Sequence, residues 1–103
     1  MAKHVTVFSM QVKPGKVDEL IGMMGEERAE EMRLKASGWE STVVGKSKDN
    51  ANEIWVTVTW DTSENYARNA SSPEQDAWFR KMRALLDSDP AWHDCEVLSE
   101  QRA

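Results

Sequence analysis

The sequence of 103 residues has little of several residue types that build common sites: it holds one cysteine, Cys95, and only two histidines. A single cysteine excludes a disulfide within the chain and any zinc site made of several thiolates, and it favours a reducing, cytoplasmic setting. No apolar run approaches the ~20 residues of a membrane-spanning helix. We therefore expect a cytoplasmic protein with no membrane segment.

Basic residues and glycine motifs are also scarce. The sequence has 13 Lys and Arg residues and 18 Asp and Glu residues, so the formal net charge is −5. Nucleic-acid binding depends on clustered cations against phosphates, so we expect no nucleic-acid partner. The five glycines form neither G-x-G-x-x-G nor a phosphate loop, which argues against a nicotinamide or flavin bound in the Rossmann manner.

Length and periodicity predict one domain over residues 1–103. Apolar alternation predicts strands, and a 3.6-residue period with capping boxes at Asp61–Glu64 and Ser72–Gln75 predicts helices. The predicted strands are 4–13, 39–45, 54–60 and 92–99, and the predicted helices run from Lys16 to just before Gly38, over about 62–70, and over about 73–87. Pro90 prevents the last helix from continuing.

The resulting order, βαββαβ, predicts a ferredoxin-like α+β sandwich with a four-stranded antiparallel sheet covered by helices on one face. The first and third strands carry large apolar residues on both faces. Because a small domain has a thin core, we expect the second face to be buried against another sheet in a homodimer. The alternative is that a few of these side chains are simply exposed.

Metal ligation is not expected. In this topology His4 and His93 are predicted to lie at opposite ends of the sheet, too far apart for a shared site. His93 and Cys95 share a strand face, but no third group is present to orient a catalytic pair. Arg28 lies on an apolar helical stripe, so its head either reaches solvent past the helix edge or reaches the space between helix and sheet to hold a ligand anion.

Aromatic residues are the unusual abundance, with five Trp in the chain. Such rings are common in cores, and they also suit a cleft for a flat aromatic ligand between sheet and helices. The candidate set consists of Phe8, Trp55, Trp60, Tyr66, Trp78 and Trp92.

Three segments together resemble the antibiotic biosynthesis monooxygenase superfamily: Val-Lys-Pro-Gly-Lys at 12–16, Trp-Asp-Thr-Ser-Glu-Asn-Tyr at 60–66 and Ser-Ser-Pro-Glu-Gln at 71–75. The resemblance covers nearly the whole chain. It implies a dimeric α/β barrel with a pocket between sheet and helices in each subunit. One branch contains cofactor-independent oxygenases that convert anthrone-type phenols to quinones with O2, and related members are proposed to act on reduced quinones.

Carried over by position, Trp60 and Tyr66 resemble that branch's tryptophan and tyrosine, and Arg80 falls near its arginine. By periodicity Arg83 is the better candidate for a pocket arginine, because it flanks the apolar stripe of its helix. The branch's asparagine, four residues before the tryptophan, is Val56 here. This departure removes an amide from the place where the substrate oxygen would be held.

A heme-degrading branch of the same superfamily is a poor match. Its asparagine, tryptophan and heme-ligating histidine fall at Phe8, Asn69 and Phe79, and residues 61–92 contain no histidine. We therefore expect no heme, flavin or metal cofactor.

The leading hypothesis is a monooxygenase, an oxidoreductase acting on a small aromatic or quinol-type substrate with O2. Trp60, Tyr66, Arg80 and Arg83 are the candidate catalytic residues, and Phe8, Arg28, Asn69 and Trp78 the candidate substrate-binding residues. Two alternatives remain: a non-catalytic or stress-associated dimer that binds an aromatic metabolite, and a structural dimer whose aromatic residues are all core.

Overall fold

The computed structural model describes residues 3–32 and 38–103, and the side chains of 25–32 lie outside that description. The elements in chain order are β1 (His4–Gln11), α1 (Val17–Met32), β2 (Trp39–Lys46), β3 (Glu53–Trp60), α2 (Ser63–Ala70), α3 (Pro73–Arg83) and β4 (Ala91–Glu96). The four strands pair antiparallel in the order β2-β3-β1-β4. The predicted ferredoxin-like α+β fold is therefore confirmed, with two short helices in the second crossover.

Side chains alternate between the two faces of the sheet, and the strand register groups them in rows. One row on the helix-covered face runs Thr42, Val58, Thr6, Asp94 across all four strands, and the next runs Val44, Val56, Phe8, Trp92. A row of the opposite face runs Val43, Thr57, Val7, His93. The helices cover only the first of these faces.

The core lies between the helix-covered face and the helices. Its largest fully buried side chains are Met10, Leu20, Ile54, Met82, Leu86, Val12 and Val56. Burying each such side chain stabilises the fold by about 1.5–3 kcal/mol. On the other face Val43 keeps 65% of its surface exposed and Trp55 keeps 46%, so two large apolar residues face solvent in the single chain.

Both short helices begin at side-chain caps. Ser72 caps α3 as predicted, since its hydroxyl accepts from the backbone N–H of Gln75 and Pro73 occupies the first turn. The predicted cap of α2 was wrong by one position. The capping residue is Thr62 and not Asp61. Asp61 instead accepts a 2.9 Å hydrogen bond from the Asn65 amide.

The prediction that the last helix extends to 87 was also wrong, because α3 ends at Arg83. The backbone N–H groups of Leu85 and Leu86 donate to the carbonyls of Met82 and Arg83, which tightens the chain into a turn. This turn buries both leucines and pairs Leu86 with Val12. Core packing therefore ends the helix well before Pro90.

Other element ends shift by a few residues. β1 ends at Gln11 and not at residue 13, although the backbone N–H of Val12 still donates to the carbonyl of Asn52 in the register of the β1–β3 pair. β4 covers 91–96 and not 92–99. The predicted end of α1 near residue 37 lies outside the described residues, whereas Gly38 has a φ of 92°, the left-handed conformation that glycine favours.

The two histidines lie on opposite faces of the sheet. His93 pairs with Val7 in the middle of β1, three residues from His4, so the predicted separation at opposite ends of the sheet was wrong. His4 faces the helices and is buried, whereas His93 is exposed on the other face with Cys95. Among the described helices, none has the length and apolar character that a membrane crossing requires.

Candidate functional site

A cavity of about 710 Å³ lies between the helix-covered face of the sheet and the helices. Its floor is made by the two rows of side chains that cross all four strands, together with Trp60. Its other described lining residues are Ile21, Met24, Tyr66, Asn69, Ala70, Gln75, Asp76, Trp78 and Phe79. A volume of this size suits a small organic ligand, and most of the wall is apolar.

One end of the cavity is aromatic. Phe8 of β1 and Trp92 of β4 are register partners, and their ring centroids lie 4.2 Å apart at an angle of 36°. Phe79 of α3 approaches Trp92 at 6.1 Å. Because these rings come from two adjacent strands and one helix, they form a wall against which a flat ring can pack.

The other end of the cavity is a hydrogen-bonded group centred on Asp94. The Tyr66 hydroxyl donates to Oδ1 of Asp94 at 2.9 Å, and the Thr6 hydroxyl donates to the same oxygen at 2.8 Å. Thr6 and Asp94 are register partners on β1 and β4, and Tyr66 reaches them from α2. The Asp94 side chain remains 53% exposed, so this end of the cavity is open to water.

His4 supports this polar group from inside the protein. Its Nε2 lies 2.7 Å from the Thr6 hydroxyl, whose hydrogen is given to Asp94, so Nε2 must carry a proton and donate to Thr6. The imidazole also stacks on the Tyr66 ring, with centroids 3.9 Å apart and planes 16° from parallel. His4 is 5% exposed, so the ring and its bonds are held in a fixed position.

The environment of Tyr66 keeps its phenol protonated. Burial raises the pKa of Tyr66 above the ordinary value of 10.0, and Asp94 raises that pKa further by accepting its hydrogen bond and by its charge, while contact with Thr6 acts in the opposite direction. The phenol is consequently a hydrogen-bond donor at neutral pH. Trp60 meets the same ring edge-on at 6.2 Å and completes the wall beside it.

The charged residues in the described lining of the cavity are all acidic. Asp76 and Asp94 are its charged residues, and no lysine or arginine lines the cavity in the described part of the chain. Asp76 forms an ion pair with Arg80 at 3.1 Å, whereas Asp94 accepts hydrogen bonds from two hydroxyl groups and has Nε2 of His4 3.7 Å from its Oδ1. Asn69 and Gln75 add a neutral amide pair, in which the Asn69 amide donates to Gln75 at 3.3 Å.

Five of the eight residues predicted from the sequence line this cavity. They are Phe8, Trp60, Tyr66, Asn69 and Trp78. The structure brings them together from β1, β3, α2 and α3, whereas Trp55 of the aromatic set lies on the opposite face of the sheet and outside the cavity. Their roles with a substrate stay predictions.

The two arginines of α3 do not line the cavity. Arg80 is 78% exposed and pairs with Asp76 one turn earlier. Arg83 donates from Nε to Asp89 at 2.7 Å and from an η nitrogen to the Leu86 carbonyl at 3.1 Å. The periodicity argument placed Arg83 beside the pocket, but the turn after α3 directs its guanidinium to the end of the helix. The side chain of Arg28 lies outside the described residues.

Sequence reasoning missed the polar end of the site. Asp94, His4 and Thr6 were not selected, because an isolated acidic residue on a predicted strand gives no signal by itself. The available signal was alternation, which places Asp94 on the same face as Trp92. Recognising the polar end also required the β1–β4 register, which sets Asp94 beside Thr6. This register cannot be predicted from turn residues, because a long crossover separates the two strands.

The sequence model of the family described as antibiotic biosynthesis monooxygenase matches residues 4–81, which include β1, β3, α2 and most of α3. This match covers most of the chain. The protein belongs to the antibiotic biosynthesis monooxygenase family. Family membership supports a monooxygenase-type function, and the matched range contains every predicted site residue except Arg83.

Solved structures show the same fold. A variant of SnoaB, a cofactor-independent oxygenase from Streptomyces nogalater, superposes with a TM-score of 0.82 at 14% identity, and the alignment covers 97% of each chain. A candidate antibiotic biosynthesis monooxygenase from Chloroflexus aurantiacus gives 0.76 at 22% identity over 98% of each chain. A further one from Caulobacter crescentus gives 0.83 at 13% identity, over 95% of this chain and 92% of the other.

At these identities the structural likeness establishes the fold alone. No match is found among curated proteins. Among the described residues, no three His, Cys, Asp or Glu side chains are grouped closely enough to hold a metal ion. The cavity of this chain has aromatic walls, Val56 in its floor and a polar end centred on Asp94.

Proposed function

We propose that this protein is a cofactor-independent monooxygenase that acts with O2 on a small aromatic compound of the anthrone or quinol type. The observation that carries the proposal is the cavity of about 710 Å³, with aromatic walls at one end and the Tyr66–Asp94 hydrogen bond at the other. Such a site holds a flat ring by its faces and a ring oxygen at its polar end.

The reaction requires an electron-rich ring that can pass an electron to O2 without a cofactor. For an anthrone-type substrate, a CH2 carbon becomes a carbonyl, one oxygen atom of O2 enters the product and the other leaves as water. The four electrons removed from the carbon are those that reduce O2. The protein contributes by orienting the substrate and by excluding water from the reacting carbon.

Trp60 and Tyr66 are the walls nearest the polar end of the cavity, and Phe8 and Trp78 provide further apolar surface. In this proposal the substrate lies with its oxygen toward Tyr66, and Asn69 offers a secondary polar contact. Val56 stands in the floor where the oxygenase branch of the family has an amide. The polar end on β4 therefore takes the place of that missing contact.

We also propose that the protein is a homodimer joined through its open sheet faces. The row Val43, Thr57, Val7, His93 and the indole of Trp55 lie on the side of the sheet that no helix covers. Burying this face against a second copy removes exposed apolar surface from water and stiffens the sheet that forms the cavity floor.

Oxygen uptake tests the proposed activity. Purified protein is mixed with anthrone-type phenols and reduced naphthoquinones in an oxygen electrode, with chelator and without added flavin or metal. We expect uptake above the non-enzymatic rate and a loss of at least about tenfold in Trp60→Phe, equivalent to ~1.4 kcal/mol of transition-state stabilisation. Trp55→Phe is the matched control, because Trp55 lies on the open sheet face and outside the cavity lining.

The absence of the branch's amide, with Val56 in its place, favours one alternative, a protein that binds an aromatic metabolite without converting it. The same experiment separates the two functions. Saturable quenching of tryptophan fluorescence by these compounds, with no oxygen uptake in any of them, would replace the oxygenase with a binding protein.

A further inference from the structure

Asp94 presents an unused acceptor to the cavity. Its two hydrogen bonds, from Tyr66 and Thr6, both end on Oδ1. In the part of the chain that the structure describes, no hydrogen-bond donor reaches Oδ2. Asp94 is 53% exposed, so a ligand hydroxyl that reaches Oδ2 takes the place of solvent and donates a charge-assisted hydrogen bond.

The orientation of the carboxylate is fixed by the protein. Thr6 is hydrogen-bonded to His4, which is buried and stacked on Tyr66, so both donors to Oδ1 belong to one connected group. Rotation of the carboxylate would break two hydrogen bonds of 2.8 and 2.9 Å. Oδ1 therefore accepts the hydrogen bonds of the protein, and Oδ2 is the oxygen that can accept one from a ligand.

The charge of the cavity points to the kind of ligand. Asp94 contributes negative charge at the polar end, Asp76 is paired with Arg80, and none of the described lining residues is a lysine or arginine. A ligand that carries a carboxylate would meet the like charge of Asp94 at the polar end, which disfavours its binding there. A neutral ligand with a hydroxyl group would instead donate to Oδ2.

We propose that Asp94 is the hydroxyl-recognition residue of this cavity, and that the site selects neutral aromatic hydroxyl compounds over their ethers and over aromatic carboxylates. The inference rests on the proposed function in taking the cavity as the place where the aromatic compound binds. It adds the residue that recognises the hydroxyl group of that compound, and it adds that the compound enters uncharged.

Binding without oxygen provides the test. The probes are naphthol, its methyl ether and naphthoate, which share one ring system, and their dissociation constants are measured anaerobically by quenching of tryptophan fluorescence. For the native protein we expect naphthol to bind about tenfold more tightly than the ether, because only naphthol can donate to a charged acceptor. Naphthoate is expected to bind more weakly than both.

Asp94→Asn makes the test specific. Because Thr6 and Tyr66 are donors, they retain the amide oxygen of the asparagine at the position of Oδ1, so its NH2 group replaces Oδ2. An acceptor facing the ligand thereby becomes a donor, and one negative charge is lost. We expect the preference for naphthol over the ether to disappear and the affinity for naphthoate to rise about tenfold.

Glu96→Gln is the matched control. It removes the same charge from the same face of β4 two residues away, opposite His4, and it is not part of the cavity lining. The order of the three probes should be unchanged in this variant. Thermal melts of both variants check that the fold is retained.

The outcomes separate the inference from the proposed function. An unchanged order of probes in Asp94→Asn, or equal binding of naphthol and its ether to the native protein, overturns the inference even when oxygen uptake is observed. Preference for naphthol that is lost in Asp94→Asn, without uptake of oxygen by any substrate, supports the inference and overturns the oxygenase.

Discussion

The hydroxyl of Tyr66 on α2 donates a 2.9 Å hydrogen bond to Oδ1 of Asp94 on β4, across a sequence separation of 28 residues. This bond joins the second crossover to the edge strand of the sheet at the open end of the cavity. Tyr66 is also the only tyrosine in the chain. Its titration can therefore be followed without interference from another phenol.

We expect the Tyr66 phenol to titrate above its ordinary pKa of 10.0, because burial and then Asp94 raise that pKa. The unfolded chain loses this proton first as pH rises, so the stabilising contribution is present below pH 10 and is lost as pH passes through the folded-state pKa. Ultraviolet difference absorbance of tyrosinate measures the midpoint. Asp94→Asn should lower it, and an identical midpoint in this variant would show that Asp94 does not act on Tyr66.

Gly38 is a position where a side chain cannot be accommodated. Its φ is +92°, and a Cβ would collide with Oδ1 of Asp61 and come within 2.6 Å of Nδ2 and 2.9 Å of Cβ of Asn65. We expect Gly38→Ala to lower the free energy of unfolding by about 1–3 kcal/mol, measured by urea denaturation.

Gly22 in α1 is the control for that substitution. No atom lies within 4 Å of a Cβ placed there, so Gly22→Ala should raise stability by about 0.5–1 kcal/mol through helix propensity. Equal effects at the two glycines would mean that neither the left-handed φ nor the contacts of Asp61 and Asn65 constrain residue 38.

Arg83 holds the turn that follows α3. Its bonds to Asp89 and to the Leu86 carbonyl lead us to expect that Arg83→Ala costs about 1 kcal/mol of stability and changes naphthol affinity by less than about twofold. Arg80→Ala removes only an exposed pair one turn apart and should cost at most ~0.5 kcal/mol. A tenfold loss of naphthol affinity in Arg83→Ala would instead place this residue in the site.

Much of the fold could be predicted from alternation. Phe8, Met10 and Val12 share one face of the first strand, as do Val56 and Trp60 in the third, and these positions are buried as expected. The reason is physical: a strand covered on one face sorts its side chains with a period of two, and that period is visible in the sequence.

The remaining features depend on contacts between distant segments. Asp94 joins the site only because β4 pairs with β1 in the register that sets it beside Thr6. Arg83 lies outside the pocket because the burial of Leu85 and Leu86 ends α3 four residues before the predicted end. Neither the β1–β4 register nor the end of α3 can be predicted from a local motif, because both depend on how the elements pack together.

The sheet face that no helix covers leads to a prediction about the oligomeric state. Val43 keeps 65% of its surface exposed in the single chain, so Val43→Lys costs the monomer little but would place a charge inside a sheet-to-sheet interface. We expect the native protein to sediment as a dimer and Val43→Lys to sediment as a monomer at the same concentration. Leu98→Lys is the matched control, because Leu98 is 90% exposed on the chain after β4 and should leave the dimer intact. If the native protein sediments as a monomer, or if Val43→Lys remains dimeric, the second copy does not cover this face.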